Sequence, residues 1–373
     1  MFKVNLQYQW QPRADLLITV DATLFRVLFA IHETGSLAGA ARKVGMSYRH
    51  VWGLMGKWEQ IFGQPMVTLH RGKGAELTDF GGKLLWAEQL VQARLGPELE
   101  SFSVAIERAL SQAMETSPNR LAICASHDLA LAQLRDMLAQ RPGFKLDLRF
   151  QGSIDSLAAL AKGQCTLAGF HVAEGMEQSA SAQFRRYLKP RQFRLIGLAT
   201  RVQGLMLAPG NPKRLESLAD LMQAGVRLIN RQRDSGSRVE FDQLLSGAGI
   251  APSAIQGYQD EEFTHLAVAA TIAANKADAG YGIKAAAEHY GLHFIPLLTE
   301  RYYLACRKDS LDNVAMSDFV GVLRGAQFKA IVDSLGGYGT AITGRLYDIA
   351  KAIPNQRPPA APRSPSHRKS EIT

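Results

Sequence analysis

The chain has 373 residues, with 43 Lys+Arg against 34 Asp+Glu and a formal net charge of +9. Its 46% hydrophobic and 21% charged residues are a globular composition, which excludes a disordered chain and a coiled-coil rod. Cys124, Cys165 and Cys306 form no C-x-x-C pair, so neither a disulfide scaffold nor a clustered cysteine zinc site is expected. No apolar run approaches the roughly 20 residues of a membrane span, and residues 1–13 lack the apolar core of a signal peptide. The expected location is cytoplasmic, with no membrane partner.

The length suggests two or three domains. Charge comes in blocks: residues 1–75 carry nine basic and four acidic side chains, and residues 76–115 carry three and seven. Together with the patterns below, this divides the chain into a head over 1–78, a linker over 79–115, a larger domain over 116–353 and a tail over 354–373. The tail has five prolines and no apolar periodicity, a composition expected to be disordered.

In the head, Val4, Leu6, Tyr8 and Trp10 alternate like one face of a strand. A helical stripe follows through Leu24, Val27, Leu28 and Ile31. Gly35 ends that helix and Ser36 can cap an alanine-rich second one. Gly45 turns the chain and Ser47 can cap a third helix. The third helix places Val51, Met55 and Trp58 on one face and Arg49, His50 and Lys57 on the other. In a helix-turn-helix the first turns of the second helix reach base edges in the major groove, where Arg49 and His50 can donate; Tyr48 can stack or bond phosphate, and Lys57 suits phosphate. Residues 66–78 read as a hairpin with a basic tip, a wing whose Arg71 and Lys73 would reach phosphate or the minor groove. The candidate DNA-binding set is Ser36, Ser47, Tyr48, Arg49, His50, Lys57, Arg71 and Lys73.

Thr78 can cap a long helix from about residue 79 to 113, whose stripe of Val91, Leu95, Leu99, Phe102, Ile106 and Leu110 requires an apolar partner. Gly96-Pro97 is expected to kink or break it.

From residue 120, strands and helices alternate, which indicates open α/β sheets in two lobes. Separate strands are expected at 193–199 and 204–208, and again at 294–297 and 302–307. In such folds ligands sit where strands end and helices begin. Three turns are rich in hydroxyls or glycine: Ser126-His127-Asp128, Gly152-Ser153, and residues 231–238 with Arg231, Ser235, Gly236, Ser237 and Arg238. Ser153 reads more readily as a helix cap than as a ligand contact. Two arginines flanking Ser-Gly-Ser suit a small anion, and Tyr281 stands at a strand end near the cleft. His171, His265, His289 and His293 invite a metal or catalytic reading, but no H-E-x-x-H or paired-carboxylate spacing supports one. No catalytic residue, metal or bound cofactor is expected, and no enzyme.

Two resemblances attach to these residues. Gly35-Ser36-Leu37-Ala38-Gly39-Ala40-Ala41-Arg42 resembles the opening of LysR-type winged helices. Met46-Ser47-Tyr48-Arg49-His50-Val51-Trp52 is similar to the ModE molybdate-regulator branch, and Leu77-Thr78-Asp79-Phe80-Gly81 to the end of the wing in both. Residues 230–238, 257–258 with 264–269, 277–283 and 168–171 resemble a periplasmic-binding-protein-like effector domain, similar to molybdate- and tungstate-binding proteins. The resemblance implies an α/β fold with a winged helix-turn-helix, a dimerising linker helix and a two-lobed effector domain. It implies a transcriptional regulator that binds double-stranded operator DNA as a homodimer or dimer of dimers, with RNA polymerase a further candidate partner. The effector would be a molybdate- or tungstate-type oxyanion or a formate-like carboxylate. The small molybdate-sensing domain of ModE itself is absent. The rival readings are a solute-binding receptor and a molybdopterin-pathway protein whose winged helix mediates assembly.

Overall fold

The structure, a computed structural model, describes residues 4–12, 18–70, 74–113, 120–141, 144–176, 183–233 and 235–353. Arg71, Lys73 and the tail from residue 354 lie outside the described residues.

Three helices form the head: α1 (Ala22–Thr34), α2 (Leu37–Val44) and α3 (Tyr48–Phe62). Asp21, Ser36 and Ser47 cap them by accepting from the backbone N–H groups of Thr23, Gly39 and His50. Leu24, Leu28, Ile31, Val51 and Trp58 close the core between them, each burial stabilising by about 1.5–3 kcal/mol. A hairpin of β1 (Val67–His70) and β2 (Gly74–Leu77) follows. The Thr78 hydroxyl donates to the Pro65 carbonyl and accepts from the Gly81 N–H. A Cβ on Gly81 would stand 2.1 Å from the Met66 carbonyl oxygen, so only glycine lets the next helix start against the hairpin.

That helix, α4 (Asp79–Ala113), runs through Pro97 without a break. The expected interruption does not occur because tertiary contacts replace what the proline removes. Pro97 has no N–H to offer the carbonyl four residues back, and that carbonyl, of Ala93, accepts instead from the Thr264 hydroxyl at 2.9 Å. The expected strand near residues 4–10 is also absent. The alternation is real, with even-numbered residues partly covered and odd ones exposed. However, it lays an extended chain along α4, where Val4 N–H donates to Glu107 and Tyr8 and Trp10 donate to Glu88. With no second strand to pair, the segment satisfies its polar groups on a helix surface.

The larger domain is built on one sheet of ten strands among the described residues, eight in one continuous order and two short ones, Tyr338–Gly339 and Leu346–Tyr347, that pair with the strand Phe193–Leu207. Its first lobe contains β3 (Arg120–Ala125), α5 (Leu129–Ala139), β4 (Lys145–Phe150), α6 (Ser153–Ala161) and β5 (Leu167–Ala173). β6 (Phe193–Leu207) then crosses to the second lobe, which contains β7 (Leu228–Arg231), α7 (Gly236–Gly247), β8 (Glu261–Glu262), α8 (His265–Ala273), β9 (Ala279–Ile283) and α9 (Lys284–His289). β10 (His293–Arg307) returns antiparallel to β6, and the strand order is β4-β3-β5-β10-β6-β9-β7-β8. Where sequence alone indicates two pairs of short strands, the chain makes two strands of 15 residues that run through both lobes. Pro296 is accommodated by a register shift opposite Gly204. Adjacent residues serve opposite faces: Ile123 and Ile196 join one core, Cys124 and Leu195 the other. In the second lobe Leu205 and Leu228 face one core and Met206 and Ile229 the other.

The Thr264 hydroxyl donates to Ala93 and also caps α8 by accepting from Ala267 N–H. Thr264→Val removes both bonds and is expected to cost about 2–3 kcal/mol, while Thr264→Ser retains them. Thermal melts of the two variants check this, and equal melting temperatures would contradict the assignment.

Candidate functional site

On the head, the first turns of α3 present their polar face to solvent. Tyr48 and Trp52 are about half exposed and stacked with ring centroids 6.2 Å apart, and Arg49 and His50 are exposed beside them. Lys57 lies over the Trp58 ring, one to two turns further along. Ser36 and Ser47 are occupied as caps. Trp52 is an exposed aromatic on this face that the candidate set omits; its side-by-side spacing with Tyr48 was the available signal.

Between the lobes lies a continuous buried polar network. Arg201 on β6 donates from Nε to Glu300 on β10 at 2.7 Å and from Nη1 to Asp128 at 2.9 Å. Asp128 caps α5 and accepts from the Tyr338 hydroxyl. His171 on β5 stands 3.4 Å from Glu300 and 3.8 Å from Glu240 on α7. Gln203 donates to Glu240 at 3.0 Å and approaches the Ser237 hydroxyl, which lies 3.4 Å from His265 Nε2. Ser126 meets His171 at 3.5 Å and the Tyr302 hydroxyl at 3.1 Å. A Cβ on Gly236 would fall 2.4 Å from His171 Nε2, so glycine at the start of α7 is what allows the second lobe to approach the first. Ser153, His171, Gly236 and Glu240 line a cavity of about 100 Å³ here. A larger one of about 520 Å³ lies at the junction of α1, α4 and the second lobe, lined by residues including Phe29, Trp86 and His289, away from the polar network.

Burial sets the electrostatics of the network. It pushes the imidazoles of His127 and His171 down to about 4 and that of His265 well below its usual value. Burial and the neighbouring Glu300 raise Glu240. Burial would also raise Glu300, but Arg201 and His171 outweigh it and hold that carboxyl at about 2. Arg231, buried and near Arg201, is lowered to about 10.

Of the candidate ligand residues, Ser126, Ser237 and Gly236 enter this network. His127 lies against Phe150 beside it, the two rings tilted at 55° with centroids 4.8 Å apart. Ser153 does not cap α6, a role Gly152 takes without a side-chain bond, and its hydroxyl is buried with no partner among the described residues. Ser235 caps α7. Arg238 is held by Asp242, Glu261, the Arg231 carbonyl and the Tyr258 ring, so it braces the second lobe instead of facing a ligand. Tyr281 stacks on Phe241 with its hydroxyl buried and unpartnered. Arg231 donates to the Phe263 carbonyl and Gln232, and among the described residues no carboxylate pairs with it. Sequence reasoning missed Arg201, Gln203, Glu240, Glu300 and Tyr302, which lie inside regular elements without a motif. It noted His171 without finding the two carboxylates that the fold brings to it.

A pH dependence follows. Below about pH 6.5 the unfolded chain protonates His127, His171 and His265 while the folded chain does not, so stability falls as pH drops from there toward 4. Glu240, raised in the fold by burial and Glu300, takes up its proton at higher pH than in the unfolded chain and so works in the opposite sense. Each net proton changes stability by about 1.4 kcal/mol per pH unit. Melts across pH 7 to 4.5 should show this fall and a shallower slope in His265→Gln; parallel curves would contradict it.

Comparison with known proteins agrees with this architecture. Residues 135–324 match the PBP superfamily domain, and residues 23–82 match the bacterial regulatory helix-turn-helix proteins of the lysR family. An uncharacterized protein of Bacillus subtilis, YvgK, is 31% identical over 222 residues, covering 59% of this chain and 70% of its own length. The molybdenum-pterin-binding protein MopB of Rhodobacter capsulatus is 31% identical over 133 residues, 33% of this chain and 48% of its own. Among solved structures, full-length BenM overlays with a TM-score of 0.41 at 15% identity, covering 84% of this chain and 97% of that one. Among the described residues no helix is long and apolar enough to cross a membrane. The chain belongs to the PBP superfamily through residues 135–324, and its residues 23–82 form a helix-turn-helix head that matches the lysR-family model.

Proposed function

We propose that this regulator binds operator DNA as a dimer through its winged head and responds to a small anion held between the lobes. The observation that carries the anion reading is Arg231, a buried cation with no carboxylate partner among the described residues, next to the first turn of α7. An anion there would compensate the guanidinium and accept from backbone N–H groups at a helix start. The similarity to a molybdenum-pterin-binding protein supports a molybdate- or tungstate-type oxyanion; a formate-like carboxylate fits the same groups.

The coupling runs through α4, which is anchored to both lobes. On the second lobe, Arg94 binds Glu262 through two bonds and Ala93 accepts from Thr264. On the first, Ser101 accepts from the Phe150 N–H at 3.2 Å. A ligand that prefers the closed lobes would change the relation between these anchors and so the placement of the head. Leu95, Phe102, Ile106 and Leu110 remain exposed along α4, a stripe suited to a second copy of the helix.

Two measurements test this reading. Arg49→Ala should weaken retardation of the DNA upstream of the chain's own gene by about 1–3 kcal/mol; unchanged binding would place the DNA contact elsewhere. One of molybdate, tungstate, sulfate and formate should raise the melting temperature, by an amount equivalent to about 2.7 kcal/mol at a hundredfold excess over Kd. Arg231→Ala should abolish that shift. Negligible shifts with all four would overturn the anion reading.

A further inference from the structure

We infer that His171, Glu240 and Glu300 form a binding site for a divalent transition-metal ion that bridges the two lobes. Each offers one ligand atom, and the three atoms lie within 4.8 Å of one another in a fully buried setting. The separations of 3.4 and 3.8 Å from His171 Nε2 to the two carboxylates are close to the edge of a coordination tetrahedron, about 3.4 Å for bonds of 2.0–2.2 Å. One imidazole and two carboxylates make a nitrogen–oxygen set suited to zinc or manganese.

Groups outside the triad orient each ligand. Arg201 holds the Oε2 of Glu300 and leaves Oε1 buried with no hydrogen-bond partner among the described residues. Gln203 Nε2 holds the Oε2 of Glu240, while its own buried Oε1 has no hydrogen-bond partner among the described residues. Ser126 stands at the Nδ1 of His171, leaving Nε2 for the ion. Such outer contacts fix ligand geometry in metal sites.

The ligands come from both lobes: His171 on β5 of the first and Glu240 on α7 of the second, with Glu300 on the crossing strand β10 that pairs with β5. An ion bound to all three would hold the lobes together, which gives the regulator a metal input separate from the anion at Arg231. The inference does not rest on the anion reading.

The test uses the full chain, stripped with a chelator and titrated with Zn²⁺ and Mn²⁺ in the absence of oxyanions, read by calorimetry and by elemental analysis of the desalted protein. One ion per chain is expected. His171→Ala and Glu240→Gln should weaken binding about tenfold or more, with the metal-free melt of each variant checking that it folds. Gly236→Ala should weaken it as well, since the new Cβ meets the His171 ring while every ligand atom remains. His293→Ala, an exposed histidine outside the site, should bind like the parent chain. Absence of a stoichiometric ion, or equal affinity in His171→Ala, Glu240→Gln and the parent, would overturn the proposal; either result leaves the anion shifts free to stand or fail alone.

Discussion

The position of Arg201 governs how the two lobes meet. Its guanidinium is 1% exposed, yet it joins Asp128 at the start of α5 to Glu300 on the neighbouring crossing strand, over the face of Tyr302. A buried ion pair of this kind is a weak source of net stability, because desolvation offsets most of the attraction, but removing one partner leaves an uncompensated charge. Its effect is therefore to specify register. β6 and β10 cannot slip past one another without separating Arg201 from Glu300, and α5 cannot shift without uncovering Asp128. The lobes hinge on strands locked at their middle, so any relative movement must be taken up at the strand ends and in the helices that face the cleft.

The same residues explain where the sequence was legible and where it was not. Apolar period, helix caps and glycine stops identify the head helices and the strand–helix alternation, since each is written into neighbouring positions: Ser47 before α3, Gly35 after α1, Asp128 before α5. The crossing strands read as broken because polar residues interrupt their apolar runs, Arg201 and Gln203 in one and Thr299 and Glu300 in the other. Those interruptions are the polar network itself, satisfied by partners that are distant in sequence: Arg201 meets Asp128 and Glu300 across 73 and 99 positions. The site was legible at its turns, where Ser126 and Gly236 stand, and hidden within its strands, where no local pattern announces a partner. Arg238 shows the converse. Its place beside Ser-Gly-Ser suggests a ligand contact, but Asp242 one helical turn away and Glu261 on β8 engage it first.

Pro97 connects the larger domain to the head. In an isolated helix a central proline disrupts the hydrogen-bond ladder and costs about 3 kcal/mol. In α4 the carbonyl it frees is the one Thr264 reaches, one residue before Arg94 binds Glu262. The docking of α4 on the second lobe thus uses a backbone acceptor that a regular helix would not have available. Thr264 immediately precedes His265, and Phe150, which holds Ser101, lies three residues before Ser153. Each anchor of α4 is therefore an extension of a turn that faces the cleft, and the anchors fall about two helical turns apart on a rigid rod. A change in lobe separation cannot be absorbed within that span without stretching one set of bonds. The strain passes instead to the orientation of α4, and α4 begins at Asp79, where Thr78 and Gly81 fix it to the hairpin of the head.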